Sequence, residues 1–261
     1  RDRRGLGNSA PTAVTAGPVI LSGRAGGTTH REVELLAALP PELRLIGGLA
    51  VMCRVGSPHR ATVDLDAVAR DLDGLHPDLL RLAVTAAGGG QYRFAGDLDL
   101  DVIDVTLLPT EDLLVQLLAD GPDLTDLELN VVAHSAEPLD VVAVDEQTGV
   151  RIAEAPGRLV ATAAGIVAMK ATTVPLRASS KPEKRASDLY DLGRLLVAGD
   201  LTAADLAALP EPLRGVVAER LRHWFVDGAG RDRTYRDVRR FDEPLLNLDD
   251  VADAVEDLVG D

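Results

Sequence analysis

The stretch Leu45–Asp66, LIGGLAVMCRVGSPHRATVDLD, contains the signals that decide the fold. A short apolar run ends in Gly47-Gly48, an Ala- and Val-rich segment follows, and after a Gly-Ser-Pro turn the stretch closes on Asp64-Leu65-Asp66. Two carboxylates two positions apart on a strand project from one face, roughly 6–7 Å apart, where they can bind the same divalent metal ions. The two glycines let a triphosphate approach the backbone at a helix N-terminus. The order therefore predicts a strand–helix–strand unit that presents acids and backbone N–H groups to one ligand.

Two later segments carry further candidate residues. Lys170 lies in the apolar helix GIVAMKATT, where it is either a compact charge for a triphosphate or a lysine that snorkels from an apolar face. In RASDLYDLGRLL, Arg185, Asp188 and Asp191 follow one another at three-residue intervals and can share a helix face. Their alternative interpretation is a set of surface ion pairs worth little.

These pieces, in this order, resemble the nucleotidyltransferase superfamily of DNA polymerase beta. Within it the chain looks most like the AbiEii-type toxins, including the MenT-type toxins. Those proteins carry Gly-Gly, then Arg-x-Ser/Thr-x-Asp-x-Asp, a lysine on a helix, and an Arg-x-x-Asp-x-x-Asp-Leu helix. The match spans roughly residues 40 to 200.

The resemblance implies roles for individual residues. Asp64, Asp66 and a third acid would hold metal ions, and Lys170 and Asp191 would complete the catalytic set. Asp188 is expected to be a supporting acid. The expected nucleotide-binding residues are Gly47, Gly48, Thr62, Lys170, Arg185 and Asp188.

The third acid is expected on the strand DLDLDVIDV, which starts at Asp97. Asp99 and Asp101 alternate with apolar residues, as on a half-exposed strand. Asp104, by contrast, is expected on the same side of the strand as those apolar residues. An acid on a buried face needs a partner such as a metal, and the resembled family also has an acid followed by an apolar residue here. We therefore expect Asp104 as the third metal ligand and as the proton acceptor, with Asp101 as the alternative. A β-bulge would reverse this parity argument.

The pattern along the chain predicts an α+β fold: a nucleotidyltransferase-type mixed sheet with flanking helices, followed by a helical half. We expect a loose lead-in over residues 1–29, a nucleotidyltransferase core over 30–156 and a helical domain over 157–261 that completes the site. Predicted strands are Leu43–Ile46, Thr62–Asp66, Gln91–Ala95, Leu98–Leu108, Leu127–Ala133 and Val141–Val144. Predicted helices are Arg31–Leu39, Leu49–Val55, His76–Ala87, Glu111–Ala119, Leu159–Val174, Pro182–Ala198, Ala203–Leu209, Pro212–Phe225 and Leu248–Val259.

Composition narrows the class of protein. With 261 residues, 46% hydrophobic and 26% charged, the chain has the make-up of a globular protein, and no apolar run is long enough to cross a bilayer. One cysteine, Cys53, excludes an internal disulfide and suits a reducing compartment. We therefore expect a cytoplasmic protein without a membrane partner.

The net charge of −15 argues against a protein that binds nucleic acid over its whole surface, so RNA would need a local basic patch. Two clusters qualify, although each can also be a solvated face. One holds all the lysines, Lys170, Lys181 and Lys184; the other consists of Arg231, Arg233, Arg236, Arg239 and Arg240.

The expected activity is transfer of a nucleoside monophosphate from an NTP to an acceptor hydroxyl, with release of pyrophosphate and with Mg²⁺ or Mn²⁺ as cofactor. The resemblance implies a toxin that modifies the 3′ end of tRNA and has a separately encoded antitoxin. Two alternatives stay open: a small-molecule (aminoglycoside-like) or protein acceptor, and a non-catalytic nucleotide-binding module.

Overall fold

The computed structural model describes residues 17–57, 64–105, 135–177, 181–198, 201–241 and 245–260. Its strands are β1 (Val19–Gly23), β2 (Arg44–Ile46), β3 (Asp64–Ala69), β4 (Thr85–Ala87), β5 (Gln91–Phe94), β6 (Leu98–Asp104), β7 (Ala136–Asp145) and β8 (Arg151–Ala161). Its helices are α1 (Thr28–Ala38), α2 (Gly47–Val55), α3 (Leu72–Leu82), α4 (Ala163–Arg177), α5 (Pro182–Ala198), α6 (Ala203–Ala207), α7 (Glu211–Phe225), α8 (Gly228–Val238) and α9 (Leu248–Val259). The strands form one mixed sheet in the order β1-β7-β8-β2-β3-β6-β5-β4, and the predicted α+β class is confirmed.

The predicted strand–helix–strand unit is present as β2, α2 and β3. Strand β2 runs antiparallel to β3 and places Ile46 opposite Asp66. Helix α2 ends at Gly56, whose left-handed backbone (φ +71°) lets its N–H donate to the Met52 carbonyl at 2.9 Å. Thr62, a predicted nucleotide ligand, lies outside the described residues, as do the predicted helix Glu111–Ala119 and strand Leu127–Ala133.

The sheet separates an apolar face from an acidic one because side chains alternate along each strand. Leu65 and Ala67 on β3 and Leu100 on β6 are buried on one face. Asp64 and Asp66 lie on the opposite face and are half-buried. The buried face fixes the register, since a one-residue slip would move the acids into the core.

Some predicted element bounds are wrong. The helix predicted to reach Ala87 ends at Leu82 and is followed by β4. The helix predicted from Leu159 begins at Ala163, because β8 continues to Ala161 and pairs with β7 and β2. Pro156 and Gly157, the predicted boundary between core and helical half, therefore lie within a strand, and the change from sheet to helix comes after Ala161.

Two elements were not predicted. Strand β1 lies within the predicted lead-in and runs parallel to β7 from Val19 to Gly23. Helix α8 coincides with most of the C-terminal arginine cluster. By contrast, the predicted bounds of α5 and α9 are confirmed to the residue.

The helical half is built around α5, which packs against α4, α8 and α9. Leu189 and Tyr190 are fully buried, and the ring of Tyr190 stacks on Phe241 with 4.7 Å between centroids. Helix α5 also contacts α2, whose other neighbours include β3. The two halves of the chain thus meet at α2.

In the part of the chain that the structure describes, every helix is too short or too polar to cross a membrane.

Cys53 is buried in α2, and burial raises the pKa of its thiol to about 12. The side chain is therefore a neutral core residue without thiolate chemistry at physiological pH.

Candidate functional site

Four acids share the open face of the sheet. Strands β3 and β6 run parallel in a register that places Asp64 beside Asp99 and Asp66 beside Asp101. Residues paired in this way point to the same side, and neighbouring strands lie about 4.8 Å apart. All four carboxylates are half-buried. Arg93 of β5 already neutralises Asp99 by donating to both of its carboxylate oxygens, at 2.7 Å and 2.8 Å. Close like charges on a strand pair are destabilising, so Asp64, Asp66 and Asp101 are the acids that require a compensating charge.

The structure does not bring Asp104 to these acids. Asp104 pairs with Ala69 and therefore has the parity of the buried Leu100 and Val102, across the sheet from Asp66. It sits at the end of β6 and is exposed, so it needs no metal to compensate for burial. No bulge interrupts this register. The third acid beside Asp66 is thus Asp101, the alternative in the sequence analysis, and the choice of Asp104 is corrected.

The carboxyl group of Asp66 is influenced by charged residues from both halves of the chain. Burial raises the pKa of its carboxyl, Lys184 and Lys170 on the helical half lower it, and Asp101 and Asp64 raise it. The net result is a raised pKa, which means that the fold disfavours the ionised carboxylate. Asp66 therefore belongs to one electrostatic cluster with its strand neighbours and with two lysines of the helical half.

The start of α2 is shaped around Asp66. Gly47 has a left-handed backbone (φ +69°), and a Cβ atom there would lie 2.8 Å from both Cβ and Cγ of Asp66 and would overlap its Oδ2. Neither a side-chain cap at Ile46 nor an acid in the first turn occupies this end of the helix. Since the first N–H groups of a helix have no partner within it, the site combines an acid with anion-binding backbone groups.

Gly47→Ala is expected to destabilise the protein more than Gly56→Ala. Both glycines have left-handed backbones, but nothing lies within 4 Å of a Cβ atom at Gly56. Their difference in unfolding free energy therefore isolates the overlap with Asp66, which should amount to about 1–3 kcal/mol. Urea denaturation of the two variants measures it. Equal losses would show that Asp66 does not pack against Gly47.

Lys170 joins α4 to α5 through two buried ion pairs. Its Nζ donates to Asp188 Oδ1 at 2.7 Å and to Asp191 Oδ2 at 2.9 Å, and Asp191 is completely inaccessible to solvent. Burial lowers the pKa of Lys170, but the two carboxylates more than offset it, and the net pKa is raised. The ammonium is therefore held charged, and both alternatives, a snorkelling lysine and surface ion pairs, are wrong for these residues.

Arg177, in the last turn of α4, completes the cluster. Its guanidinium pairs with Oδ2 of Asp188, whose Oδ1 accepts from Lys170. The sequence analysis missed Arg177, and it named Lys184 only as part of a basic cluster, not as a residue whose charge acts on Asp66. The signal for Lys184 was its spacing, because it lies four residues before Asp188 on the same helix face.

Arg185 does not join Asp188 and Asp191. It is buried and pairs with Asp237 of α8, and burial together with the charge of Arg233 lowers its pKa. At 3.6 residues per turn, the six residues between Arg185 and Asp191 rotate the side chains about 120° apart. In this structure Arg185 holds α8 against α5.

The acids are of the type that binds divalent metal ions, but their side chains are not positioned to coordinate one in this structure. Among the described residues, no three His, Cys, Asp or Glu side chains converge closely enough to hold a metal ion. The donor set nevertheless suits Mg²⁺ or Mn²⁺, because carboxylate oxygens are their preferred ligands. The repulsion of Asp64 and Asp101 on Asp66 is also what a bound cation would relieve.

The comparison with protein families agrees with the resemblance. The model of the family described as nucleotidyl transferase AbiEii toxin, type IV toxin–antitoxin system, matches residues 34–259. A search of curated proteins found no match to the chain. The matched region includes β2, α2, β3, β6 and both helices that hold the Lys170 cluster. The chain therefore belongs to the AbiEii family of nucleotidyltransferase toxins of type IV toxin–antitoxin systems.

Proposed function

We propose that this nucleotidyltransferase uses Mg²⁺ or Mn²⁺ to move a nucleoside monophosphate from an NTP to the 3′ end of tRNA. One observation carries the proposal: the acids of β3 and β6 and the charged lysine of α4 act on one another at Asp66. A carboxylate face beside fixed cations is the pattern that phosphoryl transfer needs, since its catalysis is positioning and charge stabilisation.

Asp64, Asp66 and Asp101 are the proposed metal ligands. A metal bound there would neutralise phosphate charge and lower the pKa of the attacking hydroxyl. The proposal does not include Asp104, because it lies across the sheet. Asp101 is on β6, one strand farther than Asp66 from the β2–α2 turn, and is the proposed proton acceptor at the acceptor hydroxyl.

The triphosphate is proposed to lie at the start of α2. Backbone N–H groups of Gly47 and Gly48 would donate to phosphate oxygens there. Lys170 supplies a positive charge that Asp188 and Asp191 keep in place, so its position is set before the nucleotide binds. Asp191 is thus proposed to act through Lys170, with Asp188 in support.

Family membership implies an NTP substrate and a separate antitoxin partner. A tRNA acceptor and the buried reduced thiol of Cys53 are consistent with a cytoplasmic site of action, which we include in the proposal. The cluster of Asp64, Asp66 and Asp101 favours one alternative acceptor, a cationic small molecule of aminoglycoside type, which it would attract electrostatically.

The test is incubation of the protein with Mg²⁺, total tRNA and each of the four α-labelled NTPs, with Asp64→Ala as the matched control. Label on tRNA with the wild type alone is the expected result. It would identify the chemistry, the nucleotide and the acceptor class together. Mg²⁺-dependent stabilisation by an NTP without label on tRNA would favour the small-molecule alternative. No NTP binding at all would contradict the proposed activity.

A further inference from the structure

Helix α8 presents an arginine-rich surface to solvent. Arg233, Arg236, Arg239 and Arg240 are exposed. Among the described residues, none of these four forms an ion pair with a carboxylate; the guanidinium Nε groups of Arg236 and Arg240 donate to backbone carbonyls instead. Arg231 differs, because it pairs with Asp249 of α9. In the described part of the chain, the four guanidinium groups are therefore not tied to a carboxylate by an ion pair.

This surface continues toward the candidate site. Helix α8 packs on α5, and the two are tied by the ion pair between Asp237 and the buried Arg185. Arg233 is near enough to Arg185 for its charge to lower the pKa of that guanidinium. The first turns of α5 add exposed Lys184, and Lys181 precedes the helix. Helix α5 also contacts α2, whose first residue, Gly47, lies against Asp66. We name the set Lys181, Lys184, Arg233, Arg236, Arg239 and Arg240 the basic band.

The basic band contrasts with the rest of the chain. The protein carries 42 acidic and 27 basic residues, whereas on this surface six exposed cations stand beside two exposed acids, Glu183 and Asp232. Such a surface suits a polyanion, because each cation that meets a phosphate releases a counterion. Tyr235, 58% exposed on the same helix, adds an aromatic face on which an unpaired base can stack.

We propose that the basic band binds the phosphate backbone of the RNA acceptor and directs its reacting end to the acids of β3 and β6. This inference rests on the proposed function, since it names the surface that holds the acceptor. It also explains how a chain with a net charge of −15 can bind RNA: the contact with the phosphate backbone is confined to one surface.

The test compares two variants of equal net charge. One carries Arg233→Glu, Arg236→Glu and Arg240→Glu; the control carries Arg24→Glu, Arg81→Glu and Arg151→Glu, three exposed arginines outside the band, each of which pairs with a surface acid. A second band variant with the same three arginines changed to Gln covers the case in which charge reversal prevents folding. Binding of total tRNA is measured without NTP across a salt series, beside label transfer and Mg²⁺-dependent NTP binding.

The band variants are expected to lose at least about tenfold in tRNA affinity, and the slope of log affinity against log salt should fall by about 2–3. In label transfer, KM for tRNA should rise while NTP binding stays unchanged. If wild type, band variants and control bind and label tRNA equally, this inference fails and the proposed function stands. If the wild type neither binds nor labels tRNA, the RNA acceptor fails, and the inference fails with it.

Discussion

Asp66→Asn is expected to lower kcat/KM for nucleotidyl transfer by at least about 10³-fold while leaving the protein folded. The carboxylate is the one on which the strand acids and both lysines act, and a metal ligand at the reacting phosphate contributes several kcal/mol to transition-state stabilisation. An amide at this position keeps the shape but removes the charge.

The same variant should be more stable than the wild type at neutral pH. Because the pKa of Asp66 is raised in the folded protein, its contribution to stability is largest in acid and declines as the pH rises through the folded pKa. At neutral pH the ionised carboxylate therefore costs stability, and Asn removes that cost. Thermal unfolding at pH 7 and pH 4 measures the effect, and the gain in Tm should shrink at the lower pH.

Asp104→Asn is the matched control. It removes an acid from the same sheet, but from the opposite face, so transfer should stay within a few-fold of wild type. If Asp104→Asn abolished transfer and Asp66→Asn did not, the assignment of the acidic face would be wrong. Loss of folding in Asp66→Asn would show that its role is structural.

Lys170→Met is expected to destabilise the protein by about 3–5 kcal/mol, because it leaves Asp188 and Asp191 buried without their shared cation. Lys184→Met, a change of an exposed lysine on the neighbouring helix, should stay within about 0.5 kcal/mol of wild type. Urea denaturation at pH 7 compares the two. Equal stabilities would contradict a structural role for the buried pairs.

A second change tests the cause of that loss. Adding Asp191→Leu to Lys170→Met removes a buried carboxylate that has lost its lysine and should recover part of the stability, although not the activity. In the wild type, the contribution of Lys170 should be complete below the ordinary lysine pKa of 10.5 and decline as the pH rises through its raised native pKa. A double variant less stable than Lys170→Met alone would contradict this explanation.

Local signals in the sequence were sufficient to predict the helices and strands whose ends are marked by specific residues. Helix α5 starts at Pro182, where a proline is tolerated in the first turn, and α9 follows Asn247, whose side chain accepts from the N–H of Asp249. The glycine pair and the two acids also located β2, α2 and β3, because each signal lies within a few residues of the element it specifies, although α2 begins two residues earlier than predicted and β3 continues past Asp66 to Ala69.

Elements that depend on distant partners were missed. Pro156 and Gly157 read as a break, yet they form only an irregularity in the register of β8, because β7 pairs with Ala155 before them and with Arg158 after them. Strand β1 is short, and it owes its conformation to pairing with β7, more than a hundred residues away. Helix α8 has few apolar residues, so its periodicity was weak.

The choice between Asp101 and Asp104 failed for the same reason. Parity along one strand says which residues share a face, but not which face meets Asp66 or where the strand ends. Only the register with β3 supplies that information. Family resemblance located Lys170 and Asp191, whereas their burial and mutual pairing required the packing of α4 on α5.

The most direct test of the metal-and-phosphate site is a crystal structure with Mn²⁺ and a non-hydrolysable NTP. We predict anomalous density between Asp64, Asp66 and Asp101, and the triphosphate at the start of α2 beside Gly47 and Gly48. Manganese bound at Asp104, or a nucleotide bound away from the face that carries Asp66, would contradict the account.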